Sequence, residues 1–281
     1  MTVINTNINS YAAQVAMKKV DRDLSTATER LSTGFRINNA GDDAAGLAIS
    51  ERMTSQIRGA QMAARHANDA IALIQTAEGA LTEVSSAMQR MRELAVQATN
   101  QTYATEDLLM MDQEYQQLEA EVSRIVENTK WNTMDLLNGG GPIATKAGTF
   151  IMQVGPDSGM TINVTIGSMS TKAGETLTAL NAQHVSVQAN AATAVSKIDE
   201  AFASLNAKRA TLGAQMNRLE FALNNIQSYG VNMTDSRSRI KDTDYSQTMA
   251  ELARVNIVRQ AGIAMLAQAN VQPQAVLQLL Q

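Results

Sequence analysis

An unbroken run of small and apolar residues at alternating three- and four-residue spacing constrains this chain more than anything else in it. It reads Ala60, Ala63, Ala67, Ala70, Ile74, Ala77, Leu81, Val84, Met88, Met91, Ala95, Ala98. That spacing is the heptad signature of a helix with one continuous buried face. At 1.5 Å per residue such a helix extends roughly 60 Å, well beyond the ~19 Å radius of gyration of a compact globule of this chain length. An elongated molecule is expected. The pattern stops at Thr99–Ala104 and resumes as Leu108, Met111, Tyr115, Leu118, Val122, Ile125, with Thr105 as the expected N-cap and Glu106 and Asp107 in the first turn. A third seam runs Val195, Ile198, Phe202, Leu205, Leu212, Met216, Leu219, Leu223, Ile226, interrupted at Arg209. No single helix can bury such a stripe by itself, so the seams must pair.

Between the helical flanks lies a breaker-rich stretch holding Gly139, Gly140, Gly141, Gly148, Gly155, Gly159, Gly167 and Gly174 together with Pro142 and Pro156. Within it Phe150, Met152 and Val154 alternate with polar residues, a turn follows at Gly155-Pro156-Asp157-Ser158-Gly159, and Met160, Ile162, Val164 and Ile166 alternate again. This is a β-hairpin pattern. The expected fold is mainly α, an elongated antiparallel helical rod or coiled coil with a small central β-hairpin region. The expected domains are a discontinuous terminal helical one, residues 1–42 with 242–281, and a rod, residues 43–241, with its β- and turn-rich segment at about 131–176.

The ends carry a second signal. Charged residues make up 18% of the chain, yet none occurs from Met1 to Met17 or from Gln260 to Gln281. Both ends keep helical periodicity, through Ala13, Met17, Val20, Leu24, Ala27 and Leu31 at one and Leu252, Val255, Gly262, Met265 and Ala269 at the other. An exposed helix normally carries charges for solubility, whereas amides and hydroxyls tolerate a water-poor setting better than ions do. These residues are candidates for the seam of a polymer core, buried on nearly all sides by other copies of the chain. A head-to-tail contact that does not close a ring builds a helical filament.

Other chemistry is sparse. With no cysteine there is no thiol nucleophile or zinc ribbon, and two histidines give little scope for His-based chemistry. No nucleophile–base pair, phosphate loop or metal cluster is evident, so no catalytic, cofactor or metal site is expected, and no cofactor. Asp42-Asp43 reads as a helix-opening pair, and His66 with Asp69 and Glu78 as a charged helix face. A net charge of −4 without a basic block argues against nucleic acid. No segment reaches the ~20 apolar residues of a membrane span, so no membrane insertion is expected, and the first residues lack the pattern of a cleaved signal peptide. A coiled-coil binding or surface-coat protein is the alternative reading, but it predicts charged ends and no hairpin insert.

Several motifs resemble one family. Ile4-Asn5-Thr6-Asn7, Glu29-Arg30-Leu31-Ser32-Thr33-Gly34-Phe35-Arg36-Ile37-Asn38 and Asp42-Asp43-Ala44-Ala45-Gly46-Leu47-Ala48-Ile49 open the chain. Gln75-Thr76-Ala77-Glu78-Gly79-Ala80-Leu81 and Gln89-Arg90-Met91-Arg92-Glu93-Leu94-Ala95-Val96-Gln97 follow. Leu212-Gly213-Ala214-Gln215-Met216-Asn217-Arg218-Leu219, Ser238-Arg239-Ile240-Lys241-Asp242-Thr243-Asp244 and Gln260-Ala261-Gly262-Ile263-Ala264-Met265-Leu266 complete the series. Together they are similar to bacterial flagellin, the filament subunit of the flagellum used for swimming. The pattern departs from the family at Thr129-Lys130-Trp131-Asn132-Thr133, where Thr-x-Phe-Asn-Gly is usual. It departs also at Val15-Ala16-Met17-Lys18-Lys19 and at Asn256.

The resemblance implies terminal helices that form the inner core of a homopolymer and are disordered in the free monomer. It implies a short subunit without large outer domains, giving a thin extracellular filament. It implies partners as well: an export chaperone, the flagellar type III export apparatus, and the filament cap and hook-junction proteins. Arg90, Leu94 and Glu114 match positions used by the host Toll-like receptor for flagellin, with Gln89 and Glu93 beside them, and Arg90 is expected to be free for a partner's carboxylate. Ser168, Ser170 and Thr171 are candidate O-glycosylation sites by the same resemblance.

Overall fold

Two tight links decide where the long helices stop. Gly34 adopts the left-handed conformation (φ 75°) and its N–H reaches the Arg30 carbonyl, which ends the first helix. Asp43 accepts from the Gly46 N–H at 2.8 Å and opens the second. The computed structural model describes residues 6–139, 148–169, 177, 180 and 184–278, with side chains in the last helix described as far as Val271. Five helices and two hairpins follow in order: α1 Ile8–Thr33, α2 Ala44–Ala98, α3 Thr105–Asn128, β1 Lys130–Trp131, β2 Met134–Asp135, β3 Thr149–Gln153, β4 Thr161–Thr165, α4 Gln188–Lys241 and α5 Tyr245–Gln278. The mainly helical fold with a small β element is as expected. Backbone packing divides the chain into a terminal unit, residues 1–55 with 232–281, and a central unit, residues 56–231, with both borders falling inside α2 and α4.

In the central unit every residue of the long α2 seam is buried. From Ala70 onward it packs with Leu108, Tyr115, Val122 and Val126 of α3 and with Ile198, Leu205, Leu212 and Leu219 of α4 in one core, while Ala60 and Ala63 pack with Ile226 of α4 in a smaller one. The alanines bury little volume each, and Leu81, Met88 and Met91 supply larger side chains to the same buried face. Arg209, the interruption in the third seam, donates to Glu78 of α2 at 2.8 Å, so the charge is answered from the neighbouring helix. α3 opens one residue earlier than its sequence suggests. Ala104, not Thr105, is the N-cap, because the Asp107 carboxylate reaches back to the Ala104 N–H at 3.2 Å.

β3 and β4 pair antiparallel with Thr149 opposite Thr165 and Gln153 opposite Thr161, matching the alternation read from sequence. Phe150, Val164 and Ile166 face the core. The buried Gln215 amide of α4 grips the Thr165 backbone, accepting from its N–H and donating to its carbonyl, both at 3.3 Å. The hairpin's Pro156 lies against Gly59 of α2, where an added Cβ would stand 3.1 Å from the proline.

The β1–β2 hairpin was not apparent from periodicity. Its turn residues Asn132 and Thr133 sit at φ 45° and 67°. Two consecutive positive values are what a two-residue hairpin turn needs, and they suit Asn-Gly far better than Asn-Thr. A β-branched residue there is strained. Thr133→Gly is therefore expected to stabilise the central unit by about 1 kcal/mol, read as a rise in its thermal midpoint; an unchanged or lower midpoint would refute the strain.

Candidate functional site

α1 and α5 lie antiparallel, held along their length by paired contacts. Asn7 Nδ2 donates to the Ala269 carbonyl at 2.8 Å, and Ser10 Oγ to Asn270 Oδ1 at 2.7 Å. The Met17 thioether packs on Gly262, whose missing Cβ leaves room for the sulfur. Asp21 and Arg259 form an ion pair at 3.3 Å, placed just before the charge-free stretch begins. At the other end Tyr245 Oη donates to the Leu31 carbonyl at 3.2 Å. The links on either side are sewn together: Phe35 bridges Asp242, and the N–H groups of Arg36 and Thr243 donate to Lys241 and Gly34.

Of the terminal seam candidates, Ala27 and Val255 are buried, while Ala13, Met17, Val20, Leu24, Leu31, Leu252, Gly262 and Ala269 are half-buried between the two helices. Met265 is the exception at 65% exposed, and Leu266 takes the inward place. Arg259 occupies the seam position between Val255 and Gly262, which carries the three–four spacing on to Leu266.

The outward faces are apolar as well. Ile8, Tyr11 and Val15 are exposed at helical spacing on α1, with Tyr11 at 70%. Ile257, Val258, Ile263 and Met265 are exposed on α5, with Ile257 at 66%. Ile8, Tyr11, Val15, Ile263 and Met265 fall in the stretches without a charge, while Ile257 and Val258 stand between Arg254 and Arg259. A helix pair that buries one stripe and shows water another has unpartnered apolar surface.

A second candidate surface lies in the central unit. Arg90 does not stand free: its guanidinium meets Glu114 of α3 at 2.8 Å and Glu93 one turn along at 3.1 Å. These carboxylates hold the guanidinium still more firmly in its charged form, Glu114 first. Gln89, Arg90, Glu93 and Glu114 are exposed. Leu94 is not, being 2% exposed and part of the core beneath them. A helix face between two neighbours buries a stripe wider than a strict heptad seam, and Leu94 falls in the added width.

Among the described residues no cluster of three or more metal-ligating side chains exists, and no helix is long and apolar enough to cross a membrane. Asp42 accepts from the N–H groups of Asn39 and Asn38, which holds its carboxyl below the usual carboxylate range. His184 meets Asp112 at 3.2 Å, and Asp112 also accepts from the Val185 N–H, fastening this segment to α3. Ser168 is half-buried beside Asn138, and Ser170 and Thr171 lie outside the described residues.

Residues 4–141 match the family model for the bacterial flagellin N-terminal helical region, and residues 195–280 match that for the C-terminal helical region. The chain belongs to the bacterial flagellin family. A flagellin of Halalkalibacterium halodurans is 45% identical over 278 residues, covering 99% of each chain. A flagellin of Bacillus subtilis is 43% identical over 277 residues, covering 90% of this chain and 91% of its own. A solved structure of a putative flagellar hook-associated protein from Vibrio parahaemolyticus shares the fold with a TM-score of 0.60 over 72% of this chain and 100% of its own, at 13% identity. Flagellin is a structural filament protein and not an enzyme, and at 281 residues this one is a short form without a large outer domain. It self-assembles into the extracellular flagellar filament.

Proposed function

We propose that α1 and α5, with the terminal segments 1–42 and 242–281, form the assembly surface through which each subunit is buried by its neighbours, and that residues 43–241 form a helical rod domain. The observation that carries this reading is the exposed apolar side chains on both helices within stretches devoid of charge. Burying such a surface removes apolar area from water without stranding any ion. Truncation after Arg259 tests it. The shortened chain is expected to add no length to filament seeds under the electron microscope while its central unit melts at the unaltered temperature. Elongation by the truncated chain would overturn the reading.

Family membership supports a path to the filament through an export chaperone, the flagellar type III apparatus, and the hook-junction and cap proteins. It also supports recognition of the free monomer by a host Toll-like receptor at Gln89, Arg90, Glu93 and Glu114. In this role Leu94 acts from below, fixing the α2 turn that carries Arg90 and Glu93. A receptor must exchange the Arg90–Glu114 pair for its own contacts, and exposed pairs of this kind cost little to open. Arg90→Ala is expected to lower receptor activation by monomer about tenfold or more, as loss of a charged interface anchor does. Activation at the unaltered level would remove Arg90 from the proposed surface.

A further inference from the structure

The chain holds 16 methionines, and their settings differ sharply. Met88, Met91 and Met169 are wholly buried in the central core. Met265 is 65% exposed on the outward face of α5, on the line of Val258 and Ala261 at helical spacing. Met249 is also exposed on this helix, but Glu251 and Arg254 stand close to it in sequence. From Gln260 onward no Lys or Arg is available to solvate a new polar group. Met265 thus combines an accessible thioether with a stretch that offers no cation to a new polar group once neighbouring copies exclude water.

A thioether reacts with a peroxide by a two-electron transfer. The sulfur lone pair attacks one peroxide oxygen, an S–O bond forms as the O–O bond breaks, and after proton transfer water leaves from hydrogen peroxide, or an alcohol from an alkyl hydroperoxide. Sulfur is oxidised and the peroxide reduced. The product, a sulfoxide, is polar and chiral where the side chain was apolar and pliant, and methionine sulfoxide reductases reverse it. Burying that oxygen without a donor carries the penalty of any unpaired polar group.

We propose that Met265 is an oxidation-sensitive modification site that controls entry of the monomer into the filament. Hydrogen peroxide or a related peroxide converts it in the free subunit and blocks addition, whereas incorporation covers the thioether and protects it. The inference rests on the reading of the outward α5 face as an assembly surface.

Monomers and finished filaments are treated separately with dilute hydrogen peroxide, mapped by peptide mass spectrometry, and the monomers offered to filament seeds. Met265 is expected to gain one oxygen in monomers and none in filaments, while Met88, Met91 and Met169 gain none in either. Elongation by treated monomers is expected to fall about tenfold or more, the scale of burying one unpaired polar group, and to recover after sulfoxide reductase. Two variants separate the possible failures, each compared with its own untreated rate. Unoxidised Met265→Glu places a charge on the face and should elongate poorly; if it elongates as well as the unaltered chain, the assembly reading of this face is wrong. If Met265→Glu stalls but oxidised monomers elongate at the untreated rate, the oxidation proposal alone is overturned. The same holds if peroxide slows Met265→Leu by as large a factor as it slows the unaltered chain, or if Met265 oxidises equally in filaments and monomers.

Discussion

Replacing Gly262 with leucine is expected to abolish seeded elongation while the central unit keeps its unfolding temperature. Gly262 lies against the Met17 thioether, and even a bare Cβ there would overlap the sulfur. Methionine is flexible, so Gly262→Ala is expected to be tolerated by a rotation of Met17, offset by the roughly 1 kcal/mol that alanine gains over glycine within a helix. Leucine leaves no such escape. Overpacking of this kind typically costs about 1–3 kcal/mol. Little opposes that cost, since among the described residues of the two helices only Ser10, Ala27 and Val255 are buried. Faster hydrogen exchange across residues 8–33 and the absence of new filament on seeds would report the loss. A leucine variant that elongates normally would show that α1 and α5 need not pair closely to assemble.

The second large effect concerns Tyr115. Its ring is fully buried in the core of the central unit and its hydroxyl has no hydrogen-bond partner among the described residues. Burial pushes its ionisation well above the ordinary tyrosine range, with Glu119 and Asp112 adding to the shift. An unpaired buried hydroxyl costs about 1–3 kcal/mol, and removing it while keeping the ring returns that amount. Tyr115→Phe is therefore expected to raise the thermal midpoint of the central unit, by a few degrees per kcal/mol for a domain of this size. Tyr115→Ala is expected to lose about 3–5 kcal/mol through the cavity it leaves. Calorimetry on the two variants gives opposite signs if the hydroxyl is a burden. A destabilised phenylalanine variant would mean that the hydroxyl is satisfied after all.

The helices were readable because their seams obey one period over many turns. Each apolar residue from Ala60 to Ala98 repeats the same geometric statement, and no local accident can imitate twelve of them. Where a charge enters a seam, that redundancy fails. Arg259 occupies a seam position in α5, so the inward line passes to Leu266 and leaves Met265 outside. Arg209 looks like an interruption because its partner, Glu78, comes from another helix and is invisible to any window of sequence. Gln215 is the same problem in neutral form: a buried amide answered by strand backbone fifty residues away. The β1–β2 turn was hidden because Thr133 stands where glycine would have announced it. Of the Arg90 face, sequence supplied the residue types but neither the Glu114 pairing nor the burial of Leu94, both of which depend on how α2 meets its neighbours.

The absence of charge from both chain tips has a kinetic side. Long-range Coulomb attraction raises encounter rates between proteins and disappears as salt screens it. The outward stripes of α1 and α5 have nothing to offer such a field. Contact there gains nothing from charge steering, so the response of assembly to salt must come from the charged remainder of the subunit, whose net charge is −4.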